Sequence, residues 1–168
     1  MDAIELRSAQ APLKDSYRTD PAAALITLRA TGVLGDEQVA CSVDVGQQMV
    51  LAGLHPATGG DGSLACSGDM LLQALVACAG VTLRSVAVNR GLAVSGSVTA
   101  EGVLDFRGTL GVDREAPVGF VSVALTFDLV TAATADEVTA LIAATERYCV
   151  VYQTLRSGTE VVVATTVR

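Results

Sequence analysis

Residues 67–89 read SGDMLLQALVACAGVTLRSVAVN, and the rest of the chain is best understood outward from this stretch. Ser67 is a residue type that caps helices, Asp69 complements the positive end of the helix in its first turn, and Gly91 stands just past the end, where a left-handed residue closes a helix. A helix of about 23 residues at ~1.5 Å per residue is about 35 Å long. Its middle is apolar nearly all round, which predicts an enclosed central helix rather than a surface one. The apolar run from Met70 to Val81 is interrupted by Gln73 and falls short of the roughly 20 residues a bilayer span needs, so it predicts a buried helix and no membrane association.

Upstream, ALITLRA (24–30), QVACSVDV (38–45) and QQMVLAGL (47–54) carry β-branched residues in partial alternation, punctuated by Thr31-Gly32, Gly35-Asp36 and Gly46. They predict a meander or pair of hairpins. HPATGGDGS (55–63) cannot continue a strand and predicts a loop into the helix. Before the strands, residues 1–21 read as a polar arm. Downstream, LAVSGSVTAEGVLDF (92–106) alternates, with Val94, Gly96, Val98, Ala100, Gly102, Leu104 and Phe106 on one face; in GFVSVALTFDLV, Val121, Val123, Leu125, Phe127 and Leu129 do the same. TADE at 134–137 is a capping box, and Val138, Leu141, Ile142, Thr145, Cys149 and Tyr152 follow at helical spacing, which predicts a second long helix to about Arg156. TEVVVATTV predicts a last strand. The order of elements argues for a single α+β domain over residues 1–168, with two long helices packed on antiparallel sheet.

At 168 residues the chain is long enough to bury a core without disulfide or metal staples. Three Phe, three Tyr and no Trp leave that core to Val, Ala and Leu, and with 51% apolar and only 17% charged residues part of the apolar surface should be covered by another chain. A homo-oligomer is expected. A net charge of -7 with eleven dispersed Lys and Arg excludes a counterion-releasing nucleic-acid surface, and MDAIELRSAQ lacks the pattern of a signal peptide, which places the protein in the cytoplasm.

In a reducing cytosol four cysteines are packing, metal-binding or redox residues. Cys78 and Cys149 stand out because each falls within a predicted long helix on a face that must meet the other. Helices packed at about 8 to 10 Å can bring facing Cα atoms within the roughly 7 Å a disulfide requires. Cys66 precedes the helix and is a candidate second redox thiol, and Cys41 reads as core. A zinc site from His55, Cys66 and Cys41 lacks the short paired spacing of structural sites, and no cofactor is expected. Tyr148 and Tyr152 beside Cys149 wall a pocket or pack.

The run CSGDMLLQALVACAGVTLRSVA resembles the reactive-cysteine helix of the OsmC/Ohr family. RYCVVYQTL resembles that family's second helix with its resolving cysteine, and the strand pair ending in LDFRGTLGV is similar to the OsmC-like branch. The resemblance covers roughly residues 25 to 168. It implies an intertwined homodimer and a thiol peroxidase acting on organic hydroperoxides: Cys78 attacks the O–O bond and becomes a sulfenic acid, Cys149 condenses with it, and a dithiol reductant, lipoyl in type, restores the pair. The family's opening Pro and Glu are replaced by Ser67-Gly68-Asp69, and Val150 stands where a proline commonly follows the second cysteine. A buried mid-helix thiol needs a nearby cation to ionise, for which Arg18, Arg29, His55 and Arg107 are the candidates, in cis or across a dimer, with Asp69 as the orienting acid. The same pocket without turnover would make a small-ligand-binding or redox-sensing protein.

Overall fold

The computed structural model describes residues 2–25, 32–34, 40–45 and 48–167. They divide into two compact units, residues 1–73 with 99–126 and residues 74–98 with 127–168. The first opens with α1, Ala3–Thr19, so the expected polar arm is helical. Asp2 accepts from the Ile4 and Glu5 amides at 2.8 Å, and the Glu5 carboxylate accepts from the Asp2 amide at 2.9 Å. A 3-10 turn at Pro21–Ala24 follows, and the expected first strand falls largely in 26–30, outside the described residues.

Strands β1 (Gly32–Leu34), β2 (Ala40–Val45) and β3 (Gln48–Gly53) form the expected antiparallel meander, with Val43 opposite Val50. Its turns, at 31, 35–39 and 46–47, lie outside the described residues. A short β4 (Ala65–Cys66) then joins β3 in parallel, a departure from the all-antiparallel expectation. A parallel neighbour needs a connection longer than a tight turn, and the 54–64 loop with its 3-10 turn at Pro56–Thr58 supplies it.

α2, Ser67–Arg90, has the predicted extent. It ends on Gly91 at φ +70°, with the Leu92 amide donating to the Ala87 carbonyl at 2.9 Å, a closure that needs the left-handed residue. The expectation that it is enclosed all round is not met within one chain. It buries one stripe, Leu75, Ala79, Leu83 and Ala87, while Val81 is 72% exposed, because a single chain supplies partners for one face only. By length and composition α2 could also cross a membrane, with a mean hydropathy of 1.8 over 18 residues; a soluble protein's core helix passes the same test.

Strands β5 (Val94–Leu104) and β6 (Phe120–Thr131) pair as a two-stranded sheet. β5 alternates as expected from Val98 to Leu104, and on β6 Leu125, Phe127 and Leu129 are the half-buried face, but Val121 and Val123 are exposed. The first strand stops at Leu104 rather than Phe106, because Asp105 accepts from the Arg107 amide and starts a single helical turn, α3 (Phe106–Thr109).

In the second unit, Leu83 and Ala87 of α2, Val94 of β5 and Leu141 of α4 (Ala135–Tyr148) form a buried cluster with Phe127, Leu129 and Ile142 packed on it. The capping box of α4 is complete: the Thr134 hydroxyl accepts from the Glu137 amide, and the Glu137 carboxylate accepts from the Thr134 amide at 2.8 Å. The expected second long helix is two helices. α4 stops at Tyr148, and α5 (Val150–Ser157) begins after Cys149, whose backbone is extended at φ -74°, ψ 110°. Beyond α5, residues 159–167 form no strand, contrary to the reading of TEVVVATTV; among the described residues no strand pairs with them.

Candidate functional site

Cys149 sits at the joint between α4 and α5, not within a helix. Its amide closes α4 by donating to the Thr145 carbonyl at 2.9 Å, and its carbonyl opens α5 by accepting from the Gln153 amide at 3.0 Å. Between those two bonds the helical ladder is interrupted, and the amides of Val150, Val151 and Tyr152 are left free of helical acceptors, as at any helix start. Here they turn to sulfur. Val151 and Val150 hydrogen-bond the sulfur of Cys78, and Tyr152 and Val151 that of Cys149.

The two thiols also hydrogen-bond each other. Cys78, at the middle of α2, is half-buried, whereas Cys149 is 1% exposed. Burial raises the pKa of Cys78, but the Val151 amide, the Cys149 thiol, the Val150 amide and the Thr82 hydroxyl together bring it below the ordinary thiol range. The Thr82 hydroxyl lies beside the sulfur because it donates to the Cys78 carbonyl at 2.7 Å. For Cys149 burial again leads and raises the pKa. The Tyr152 and Val151 amides oppose this, but the bond to Cys78 and the negative charge forming there leave Cys149 above the ordinary range. The arrangement makes Cys78, the more accessible of the two, the easier to ionise, with the Cys149 thiol beside it.

The remaining sequence candidates that the structure describes belong to the first unit. Asp69 is in the first turn of α2, nine residues and therefore about 13 Å along the axis from Cys78. The His55 side chain caps the 3-10 turn, its Nδ1 accepting from the Ala57 amide at 3.0 Å, and its ring stacks on Phe106 with centroids 4.9 Å apart. Arg18 pairs with Asp15 on the exposed face of α1. Arg29 lies outside the described residues. Arg107 is held by Asp105 at 2.6 Å and Asp113 at 3.2 Å. Cys66 ends β4, half-buried, and Cys41 lies in β2 opposite Ala52. Among the described residues no His, Cys, Asp and Glu cluster fit for a metal ion is present.

The sequence pointed to cations and not to the backbone amides that the structure places at the Cys78 sulfur. The four contributions that lower the Cys78 pKa come from neutral groups. The sequence held one sign of them, the β-branched pair Val150-Val151 directly after Cys149, which weakens a continuous helix there. Tyr148 is exposed, with the Arg147 guanidinium 5.8 Å from its ring centroid, and Tyr152 is half-buried.

Residues 60–164 match the family model described as OsmC-like protein. Among solved structures, an OsmC-like protein from Mycoplasma pneumoniae is similar at TM-score 0.64 and 17% identity, over 78% of this chain and 88% of that one. An OsmC-like protein of unknown function from Vibrio cholerae reaches TM-score 0.63 at 14% identity, over 77% and 94%. An organic hydroperoxide resistance protein OsmC from Legionella pneumophila reaches 0.57 at 18%, over 79% and 90%. No curated protein sequence matches the chain.

Proposed function

The chain belongs to the OsmC-like family, and on that premise we propose that it is a thiol peroxidase that reduces organic hydroperoxides at Cys78. The observation that carries this reading is the meeting of Cys78 on α2 with Cys149 at the joint between α4 and α5, with the Val150 and Val151 amides at the Cys78 sulfur. The Cys78 thiolate attacks the distal oxygen of the hydroperoxide. The O–O bond breaks, the alkoxide takes a proton and leaves as the alcohol, and Cys78 becomes a sulfenic acid. Cys149, already in hydrogen-bond contact, then attacks the Cys78 sulfur as its thiolate, forming the disulfide and expelling hydroxide, which leaves as water. A dithiol of lipoyl type takes up the oxidising equivalents and returns both thiols. The chain works as a homodimer in the cytoplasm, without metal or cofactor. The hydroperoxide resistance protein of Legionella among its structural neighbours is in keeping with this chemistry.

The test is a thiol count. Reduced protein, with its four cysteines, is treated with stoichiometric cumene hydroperoxide. Two thiols should disappear in the wild type, and Cys149→Ser should accumulate a sulfenic acid at Cys78; retention of all four thiols in the wild type would sink the reading. Because the groups that lower the Cys78 pKa are neutral among the described residues, a second reading has specific support: a redox sensor that forms the same disulfide without efficient turnover. Loss of two thiols without sustained peroxide consumption in the presence of dithiothreitol identifies it.

A further inference from the structure

The break at Cys149 frees not only amides but carbonyls, and one of those carbonyls has a new partner. In an unbroken helix the Val150 amide would donate to the Glu146 carbonyl. Instead the Glu146 carbonyl accepts from Nε2 of Gln153 at 2.7 Å, a half-buried contact across seven residues and across the joint. The same residue opens α5 with its backbone, donating to the Cys149 carbonyl at 3.0 Å. Gln153 therefore binds both sides of the interruption, with its side chain on the last turn of α4 and its amide on the cysteine.

We propose that Gln153 is a positioning residue for Cys78: by occupying the Glu146 carbonyl, it keeps the joint from closing into continuous helix and leaves the Val150 and Val151 amides aimed at the sulfur. No proline follows Cys149 to enforce the break, since the next residue is Val150, whose amide can donate. A helix running through 146–153 would recover its ladder bonds, so something must compete for the vacated carbonyls. The Gln153 carboxamide is the competitor. It also lines a concave surface together with Glu146, Arg147, Tyr148 and Arg156. The charged groups at the bend are therefore Glu146, Arg147 and Arg156, and the titrating group in contact with Cys78 is Cys149.

This inference rests on the reading of Cys78 as the reactive thiol, yet its test is independent of peroxide. Gln153→Met removes the donor while keeping length and leaving every charge at the bend in place. The measurement is the pH profile of iodoacetamide alkylation at Cys78, read by peptide mass spectrometry with Cys66 as internal reference. The expected result is alkylation of Cys78 about fivefold slower at neutral pH, the scale of one net hydrogen bond, with wild-type rates at high pH and no change at Cys66. A general loosening would act the other way, exposing thiols and speeding alkylation at every pH. Gln153→Leu gives the same comparison if the methionine variant does not reach wild-type helicity. An unchanged Cys78 profile in a normally folded variant, or faster alkylation throughout, overturns the proposal. Thiol loss to cumene hydroperoxide is followed in parallel: if the wild type shows none, the peroxidase reading fails while the role of Gln153 is still decided by alkylation.

Discussion

Cys78 and Cys149 differ less in chemistry than in what surrounds them, and the difference has a pH signature. A thiol with a depressed pKa in the folded chain releases its proton before the unfolded chain does, so the fold gains stability as pH rises from the depressed value towards the ordinary one, and loses it as pH falls back. Cys149, displaced upward, acts in the opposite sense, but only once pH passes the ordinary thiol range. Below that range the Cys78 contribution acts alone. Urea unfolding under excess reductant, at pH values rising to the ordinary thiol value of about 8.5, should therefore show wild type gaining on Cys78→Ser as pH rises. A difference that stays flat across that window contradicts the thiolate assignment.

The strand β5 owes its course to one residue. Gly96 has φ +127°, and a Cβ added there would stand 1.9 Å from the Asp128 carbonyl oxygen of β6. Both the backbone conformation and the contact exclude a side chain. Gly96→Ala should lower stability by about 2 kcal/mol or more, visible as a drop in thermal midpoint, and an unaltered midpoint would show that β5 passes β6 differently. The sequence showed Gly96 only as a member of an alternating face, because alternation records which side a residue takes and not how closely the neighbouring backbone approaches. The same limit explains the second helix. The stripe Val138, Leu141, Ile142, Thr145, Cys149 runs through the joint without interruption, so periodicity predicted one helix. The break depends on a side-chain amide seven residues from its acceptor and on a sulfur from another helix. The capping box at Thr134, the extent of α2 and the approach of Cys149 to Cys78 were legible, because local chemistry and buried periodicity determine them. The amides at the Cys78 sulfur were not, since backbone amides carry no residue identity.

Much of the chain's apolar surface is left uncovered. Val103, Val112, Val118 and Val121 of the first unit are 58%, 74%, 66% and 56% exposed; in the second, Val81 of α2 is 72% exposed and Val161, Val162 and Val163 of the tail are 80% or more. Monomeric soluble proteins seldom expose so many large apolar side chains in runs. The proposed second copy accounts for them, and sedimentation equilibrium should give about twice the 17.1 kDa chain mass at micromolar concentration. A stable 17.1 kDa species would refute it. The joint between α4 and α5 bears on the whole working cycle as well. Amides that favour a thiolate favour the reduced protein over its disulfide, since the bonded sulfurs are poorer acceptors and carry no charge. In the proposed cycle the donors that favour attack on the peroxide thus also make the resulting disulfide a stronger oxidant, and its return to the reduced state becomes more favourable.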